Sequence, residues 1–149
     1  MKIFFIGCLV LIIALSYIRL SKPNKSLWHI DPELISRNDS RKSYLNNSKN
    51  NNKLEYLLSA DDLYLRLNKI ILEDKCKKVF GNIEENLITY VCRSKVFGFP
   101  DYISISFHPL DERKTSLSIF SRSRFGVYDF GKNKNRIDGW LAILKSTIQ

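Results

Sequence analysis

The sequence predicts an α+β fold: an N-terminal transmembrane helix, then a four-stranded antiparallel sheet with two helices on one face. Three observations carry this. An apolar run opens the chain, apolar and polar residues alternate in its second half, and two segments repeat apolar residues at helical spacing. With 149 residues, the chain suits one folded domain beside the apolar run. The expected organisation is an anchor over 1–21, a largely disordered linker over 22–53 and an α+β domain over 54–149.

Ile3 to Leu20 is apolar, with Ser16, Tyr17 and Arg19 toward its end. This is close to the ~20 residues that cross the hydrocarbon of a bilayer. A cleaved signal peptide is the rival. Ala14-Leu15-Ser16 is its nearest cleavage site, yet Tyr17, Ile18 and Leu20 carry the apolar run past it. At Gly7-Cys8, a lipoprotein-like pair, most of the run follows the cysteine instead of preceding it. A retained single span is therefore expected. Lys2 and the amino terminus face Arg19, Lys22 and Lys25 across it, which leans toward a cytoplasmic domain. Short N-terminal anchors often place their domains outside, so the side stays open.

Formal net charge is +9. The simplest consequence is a basic surface attracted to anionic lipid. Nucleic-acid binding is a lesser expectation from the same charge.

Residues 21–35 contain Pro23 and Trp28-His29-Ile30-Asp31-Pro32, where Trp28 either lies at the membrane interface or docks on the domain. Residues 36–53, mostly Asn, Ser, Lys and Arg, offer too little apolar surface to fold alone. Ser59-Ala60-Asp61-Asp62 then resembles a capping box, and Leu63, Leu67, Ile70 and Ile71 form one helical stripe ending near Asp74.

Four strands follow. Residues 75–80 and 87–96 form a hairpin turning near Glu84. Opposed positions on such a hairpin approach to ~4.5–5.5 Å, and Cys76 and Cys92 would be opposed. They are either a disulfide or two reduced thiols, depending on compartment. Cys8 lies in the apolar run, and the sequence has no CxxC and no Cys/His cluster, so neither a metal nor a cofactor is expected.

Phe97-Gly98-Phe99-Pro100-Asp101 reads as a turn whose aromatics either dip into a bilayer or a partner, or fold over the sheet end. Ile103, Ile105 and Phe107 alternate with Tyr102, Ser104 and Ser106, and Leu117 and Ile119 with Ser116 and Ser118. That period predicts strands at 102–107 and 115–120 in a sheet covered on one side. A last helix is expected from about Asn135, with Ile137, Trp140, Leu141, Leu144 and Ile148 on its buried stripe. Gly139 inside it costs ~1 kcal/mol against Ala unless something packs closely there.

Three blocks carry a family resemblance: Trp28-His29-Ile30-Asp31-Pro32; Thr89-Tyr90-Val91-Cys92-Arg93-Ser94 with Phe97 to Ser104; and Phe120-Ser121-Arg122-Ser123-Arg124-Phe125-Gly126 with Asp129, Gly131, Asn133 and Arg136. Through them the chain resembles the bacterial family labelled domain of unknown function 1499. The resemblance implies a small domain behind an N-terminal hydrophobic segment, and hence a single-pass protein of the bacterial inner membrane. It supplies no reaction, cofactor or catalytic residue. Tyr128 stands where members often have Ser, and Lys132 where an apolar residue is common.

The last block is the candidate site. Arg122 and Arg124 share parity on an extended segment, Arg136 lies at a helix start, and Asn133 or Asn135 can cap that helix. Guanidiniums beside exposed helix N–H groups favour phosphate or carboxylate. The expected ligand-binding set is Arg122, Arg124, Asp129, Asn133 and Arg136, with Asp129 orienting the arginines and Ser121 and Ser123 adding hydroxyls. The ligand would be an anionic small molecule or a lipid head group.

Two alternatives use the same residues. Asp129 pairs with one of the arginines and the cluster only stabilises, with Gly126 and Gly131 in left-handed conformations, in a module that meets a protein partner. Or the cations, interleaved with Phe120, Phe125, Tyr128 and Phe130, bind nucleic acid. Catalysis is not expected. His29 and His108 are the only histidines, no base lies near Ser121 or Ser123, and Glu84-Glu85 reads as a polar turn.

Overall fold

The computed structural model describes residues 2–36, 38, 40–50 and 53–148. Its elements are α1 (Lys2–Leu20), α2 (Lys25–Trp28), β1 (Ser43–Asn46), β2 (Leu54–Tyr56), α3 (Ala60–Glu73), β3 (Lys77–Asn82), β4 (Leu87–Arg93), β5 (Pro100–Asp111), β6 (Lys114–Ser123) and α4 (Lys132–Ile148). The fold is α+β around a large antiparallel sheet. Six strands form it, not four, in the order β1-β6-β5-β4-β3, with β2 also on β6.

The two additional strands share the outer edge of β6. β1 lies opposite Ile119 to Arg122 and β2 opposite Thr115 to Leu117. Their sequences hide them because edge strands are held by backbone hydrogen bonds and need few apolar side chains. The expected linker over 22–53 is thus built into the domain where it is described; residues 37, 39, 51 and 52 lie outside the described residues.

The N-terminal run forms α1, but among the described residues no helix is long and apolar enough to cross a membrane. The domain grips the helix's last turn: Arg19 donates to the Val96 carbonyl at 3.1 Å and Arg93 to the Ile18 carbonyl at 3.3 Å. The expected transmembrane helix is therefore an apolar helix whose C-terminal end is engaged by protein.

α3 starts as its sequence predicts. Ser59 Oγ accepts from the Asp62 amide at 3.1 Å and donates to the Asp62 carboxylate at 2.8 Å. Asp74 is its C-cap, and Lys75 then adopts φ 59° to turn into β3. The β3–β4 register places Cys76 beside Cys92, and the two form a disulfide.

α3 and α4 cover one face of the sheet. Leu63, Leu67, Ile71, Ile137 and Leu144 pack there against Ile103, Ile105, Phe107, Leu117 and Ile119, all essentially solvent-free. Each such side chain contributes about 1.5–3 kcal/mol by leaving water.

The opposite face was expected to be open. Its small polar residues instead hold the segment from α2 to residue 35. Ser104 donates to the Trp28 carbonyl at 2.9 Å, Ser106 to Asp31 at 2.7 Å, and Ser118 to Glu33. Trp28 stacks on Tyr102 with ring centroids 4.3 Å apart. Serines alternating on a strand thus serve as docking points for a strap, which alternation alone cannot distinguish from a solvated face.

α4 begins at Lys132, one turn earlier than expected at Asn135, because Asp129 and not an asparagine caps it. Gly139 has no atom near the space its Cβ would fill, so close packing does not explain it.

Candidate functional site

β6 carries the arginine–serine run into the sheet, and strand alternation then splits it. Even positions face the strap; odd positions face α4. Arg122 lies between the rings of Trp28 and Phe120, its guanidinium 4.7 and 4.6 Å from their centroids, and donates to the Leu27 carbonyl at 2.7 Å. Burial pushes its pKa down, and the two aromatic faces offset part of that cost through cation–π attraction. Arg124 reaches the Lys22 carbonyl at 3.4 Å and lies 5.3 Å from the Phe125 ring. Arg122 holds the strap, and Arg124 the residues between α1 and α2.

Arg136 stands on the other side of the sheet. Three guanidiniums therefore do not converge. The sequence places Arg122 and Arg124 on one face correctly, but that face is not the one α4 covers.

The odd positions build a network at the start of α4. Asn133 is fully buried. Its Oδ1 accepts from Ser121 Oγ at 2.6 Å, and its Nδ2 donates to Asp129 at 2.7 Å, Ser123 Oγ at 3.0 Å and the Lys42 carbonyl at 3.2 Å. Asp129 also accepts the amides of Gly131 at 2.9 Å and Asn133 at 3.0 Å, consuming N–H groups that would otherwise be free at the helix start. It caps the helix and pairs with no arginine among the described residues. Gly126 at φ 87° and Gly131 at φ 72° take left-handed conformations, as the sequence suggests.

The partner of Arg136 is Asp101, which sequence reasoning missed. Arg136 Nη2 donates to Asp101 Oδ2 at 2.8 Å, Lys132 Nζ lies 3.4 Å from the same oxygen, and Ser123 Oγ donates to Oδ1 at 2.6 Å. The signal was available. A carboxylate immediately after Pro100, opening a strand that is buried throughout its first half, needs a partner.

Beside this network opens a cleft of about 950 Å³. Arg136, Lys132 and Asp129 form one wall. Glu73 to Lys75 at the end of α3, and Cys92 to Lys95 at the end of β4, also line it. Asp74 accepts the Trp140 indole N–H at 3.0 Å. Among the described residues, no ion pair engages Lys75, Arg93 or Lys95. The cleft lining thus holds Lys75, Arg93, Lys95, Lys132 and Arg136 against Glu73, Asp74 and Asp129, a surplus of positive charge, with Lys132 and Arg136 already paired to Asp101 and Arg93 bonded to the Ile18 and Gly98 carbonyls.

The strap has its own electrostatics. His29 Nδ1 lies 2.8 Å from Thr89 Oγ1, and Nε2 lies 3.9 Å from Glu85. Burial lowers its pKa below 6.5, Lys25 adds to this, and Glu85 opposes it. For Glu33, burial pushes the pKa up, but hydrogen bonds from Ser118 and Ser48 outweigh it and hold the carboxyl below its usual range. Among the described residues, no group of three or more His, Cys, Asp or Glu is placed to hold a metal.

No curated protein matches the chain. The strap, the sheet, the hallmark and most of α4 all fall within residues 26–144, which match the model of a family described as protein of unknown function (DUF1499), and the chain belongs to that family.

Proposed function

We propose that this chain is a membrane-attached binding module whose basic cleft takes an anionic ligand, without covalent chemistry. The carrying observation is the convergence of Lys75, Arg93 and Lys95 on an open cleft beside Lys132 and Arg136. These five cations outnumber the lining carboxylates Glu73, Asp74 and Asp129, and that surplus favours a ligand that supplies negative charge. Arg122 and Arg124, given to the ligand by the sequence, act here in holding the strap and the α1–α2 connection respectively.

Attachment to the membrane is supported by α1. Phe4, Phe5, Leu9, Ile12 and Ile13 are each more than half exposed, on more than one side of the helix. A helix apolar on several sides has no stable place in water. The Cys76–Cys92 disulfide supports an oxidising compartment for the domain, against the weak lean of the flanking charges.

The mutual bonding of Asp129, Asn133, Ser121 and Arg136 favours a second role for the hallmark, as framework. The two roles are compatible: the hallmark builds the wall and the neighbouring cations meet the ligand.

The test is a thermal melt of the full chain in neutral detergent with inorganic phosphate or citrate, against chloride at matched ionic strength. A ligand that binds only the native state raises the melting temperature with concentration. The expected result is a rise with the polyvalent anions that Lys95→Glu abolishes. An equal response to chloride, or no loss in the variant, would remove the cleft from consideration.

A further inference from the structure

We propose that the end of the sheet nearest α1 is a lipid-docking surface, on which two loop tips enter the interfacial layer of an anionic bilayer. The inference rests on attachment through α1 but not on ligand binding in the cleft.

Two loops meet at this end. One follows β4, and its Val96 and Phe97 are 73 % and 49 % exposed. The other joins β6 to α4, and its Val127, Tyr128 and Phe130 are 81 %, 55 % and 84 % exposed. The loops are tied together: Phe99 packs 6.1 Å from Phe125, and the Arg124 amide donates to the Pro100 carbonyl at 3.1 Å. Large apolar side chains gathered on adjacent tips make an exposed patch of the kind that marks an interaction surface.

Phe130 adds a second, independent sign. Its φ is 56°, a left-handed conformation that costs a bulky residue energy, and the ring gains no burial in return. Strain that exposes an aromatic ring is consistent with a ring placed for an external contact.

Charge and geometry choose the partner. Lys95 and Lys132 flank the tips and line the cleft between them. α1 leaves the domain at the same end, where Arg19 bonds Val96 and Arg124 bonds Lys22. A helix entering lipid from this point brings the tips to the head-group layer. Apolar tips flanked by lysines match an interface with acyl chains below and phosphates above. A protein partner would have no reason to coincide with the exit of α1.

The experiment uses the full chain with Cys8→Ser and one new cysteine, at Phe97→Cys, Phe130→Cys or Glu112→Cys. Glu112 lies in the β5–β6 turn at the opposite end of β5 from Pro100. Each variant is labelled with an environment-sensitive dye and reconstituted in vesicles of phosphatidylcholine with or without phosphatidylglycerol. Flotation reports attachment. The expected result is blue-shifted emission at 97 and 130, quenched by head-group-proximal spin-labelled lipid, stronger with phosphatidylglycerol and absent at 112. A chain that floats while all three dyes stay water-like overturns this inference alone. A chain that does not float overturns it together with attachment.

Discussion

Arg136 on α4 and Asp101 on β5 form an ion pair at 2.8 Å with side chains only 10 % and 4 % exposed. This pair fixes the helix start against the sheet and leaves Asp101 shared with Lys132 and Ser123. Removing one member of a buried pair strands the other, which typically costs about 3–5 kcal/mol. Asp101→Ala should therefore destabilise the full chain by that amount in urea denaturation. Asp101→Asn should lose less, because it still accepts from Ser123. A loss under ~1 kcal/mol for Asp101→Ala would place the pair in the class of solvent-screened surface bridges.

Periodicity revealed the parts that bury apolar side chains. α3, the β3–β4 hairpin, β5, β6 and the stripe of α4 were legible because Leu63, Ile103, Ile119 and Trp140 recur at the spacing of their elements. β1 and β2 were not, because a strand such as Ser43–Asn46 is recruited by the edge of β6 and not by its own pattern. At the candidate site, parity put Arg122 and Arg124 together. Which side of the sheet α4 would cover, and hence that Arg136 meets Asp101, is decided by tertiary packing. The sequence also assigned Asp129 to an arginine; locally it has closer partners in the helix amides two and four residues on.

Asn133 and Arg124 were equal members of the expected ligand set, and the structure separates them. Asn133→Ala would strand the buried Ser121 hydroxyl, while Ser123 keeps Asp101 and the Lys42 carbonyl keeps the Ser123 amide. Stranding that hydroxyl costs ~1–3 kcal/mol and the Asp129, Ser123 and Lys42 bonds are lost besides, so a clear loss of melting temperature is expected. Arg124→Ala removes one 3.4 Å hydrogen bond and a ring contact. Its loss should stay near ~1 kcal/mol. Comparable melting temperatures for the two variants would contradict this ranking.

The Cys76–Cys92 disulfide closes a loop with a sequence separation of 16. Loop-closure entropy for that size is worth ~3 kcal/mol. Denaturation with and without reductant should differ by about this much, and a Cys76→Ser, Cys92→Ser double variant should behave as the reduced protein. Mass after alkylation under native and reducing conditions checks the bond directly. Three thiols alkylated without reductant in the denatured chain, instead of Cys8 alone, would show that it is absent.

Gly139 lies in the interior of α4, exposed, with open space where a Cβ would go and no left-handed φ. Gly139→Ala removes backbone freedom from the unfolded chain and should stabilise by roughly 0.5–1 kcal/mol. Chemical denaturation reads this. A destabilised variant would mean that a contact absent from the isolated chain reaches this side of α4.

His29 makes the strap sensitive to acid. Burial is the main cause that lowers its pKa below 6.5, with Lys25 adding to the effect and Glu85 opposing it. Between the lowered folded pKa and 6.5 the unfolded chain binds the extra proton, so stability rises with pH across that window. The contribution is complete above 6.5 and is lost as pH falls through the folded value. Protonation also forces Nδ1 to be a donor toward Thr89, whose hydroxyl already contacts Ser104 at 3.0 Å. Glu33 does not confuse the measurement, because its carboxyl is held below 4.5 and its contribution disappears only under more acidic conditions. The full chain should therefore lose stability as pH falls below 6.5, with Trp28 fluorescence reporting strap release. His29→Gln should flatten that slope while keeping a hydrogen bond to Thr89. A slope equal in both proteins would assign the acid sensitivity to another group.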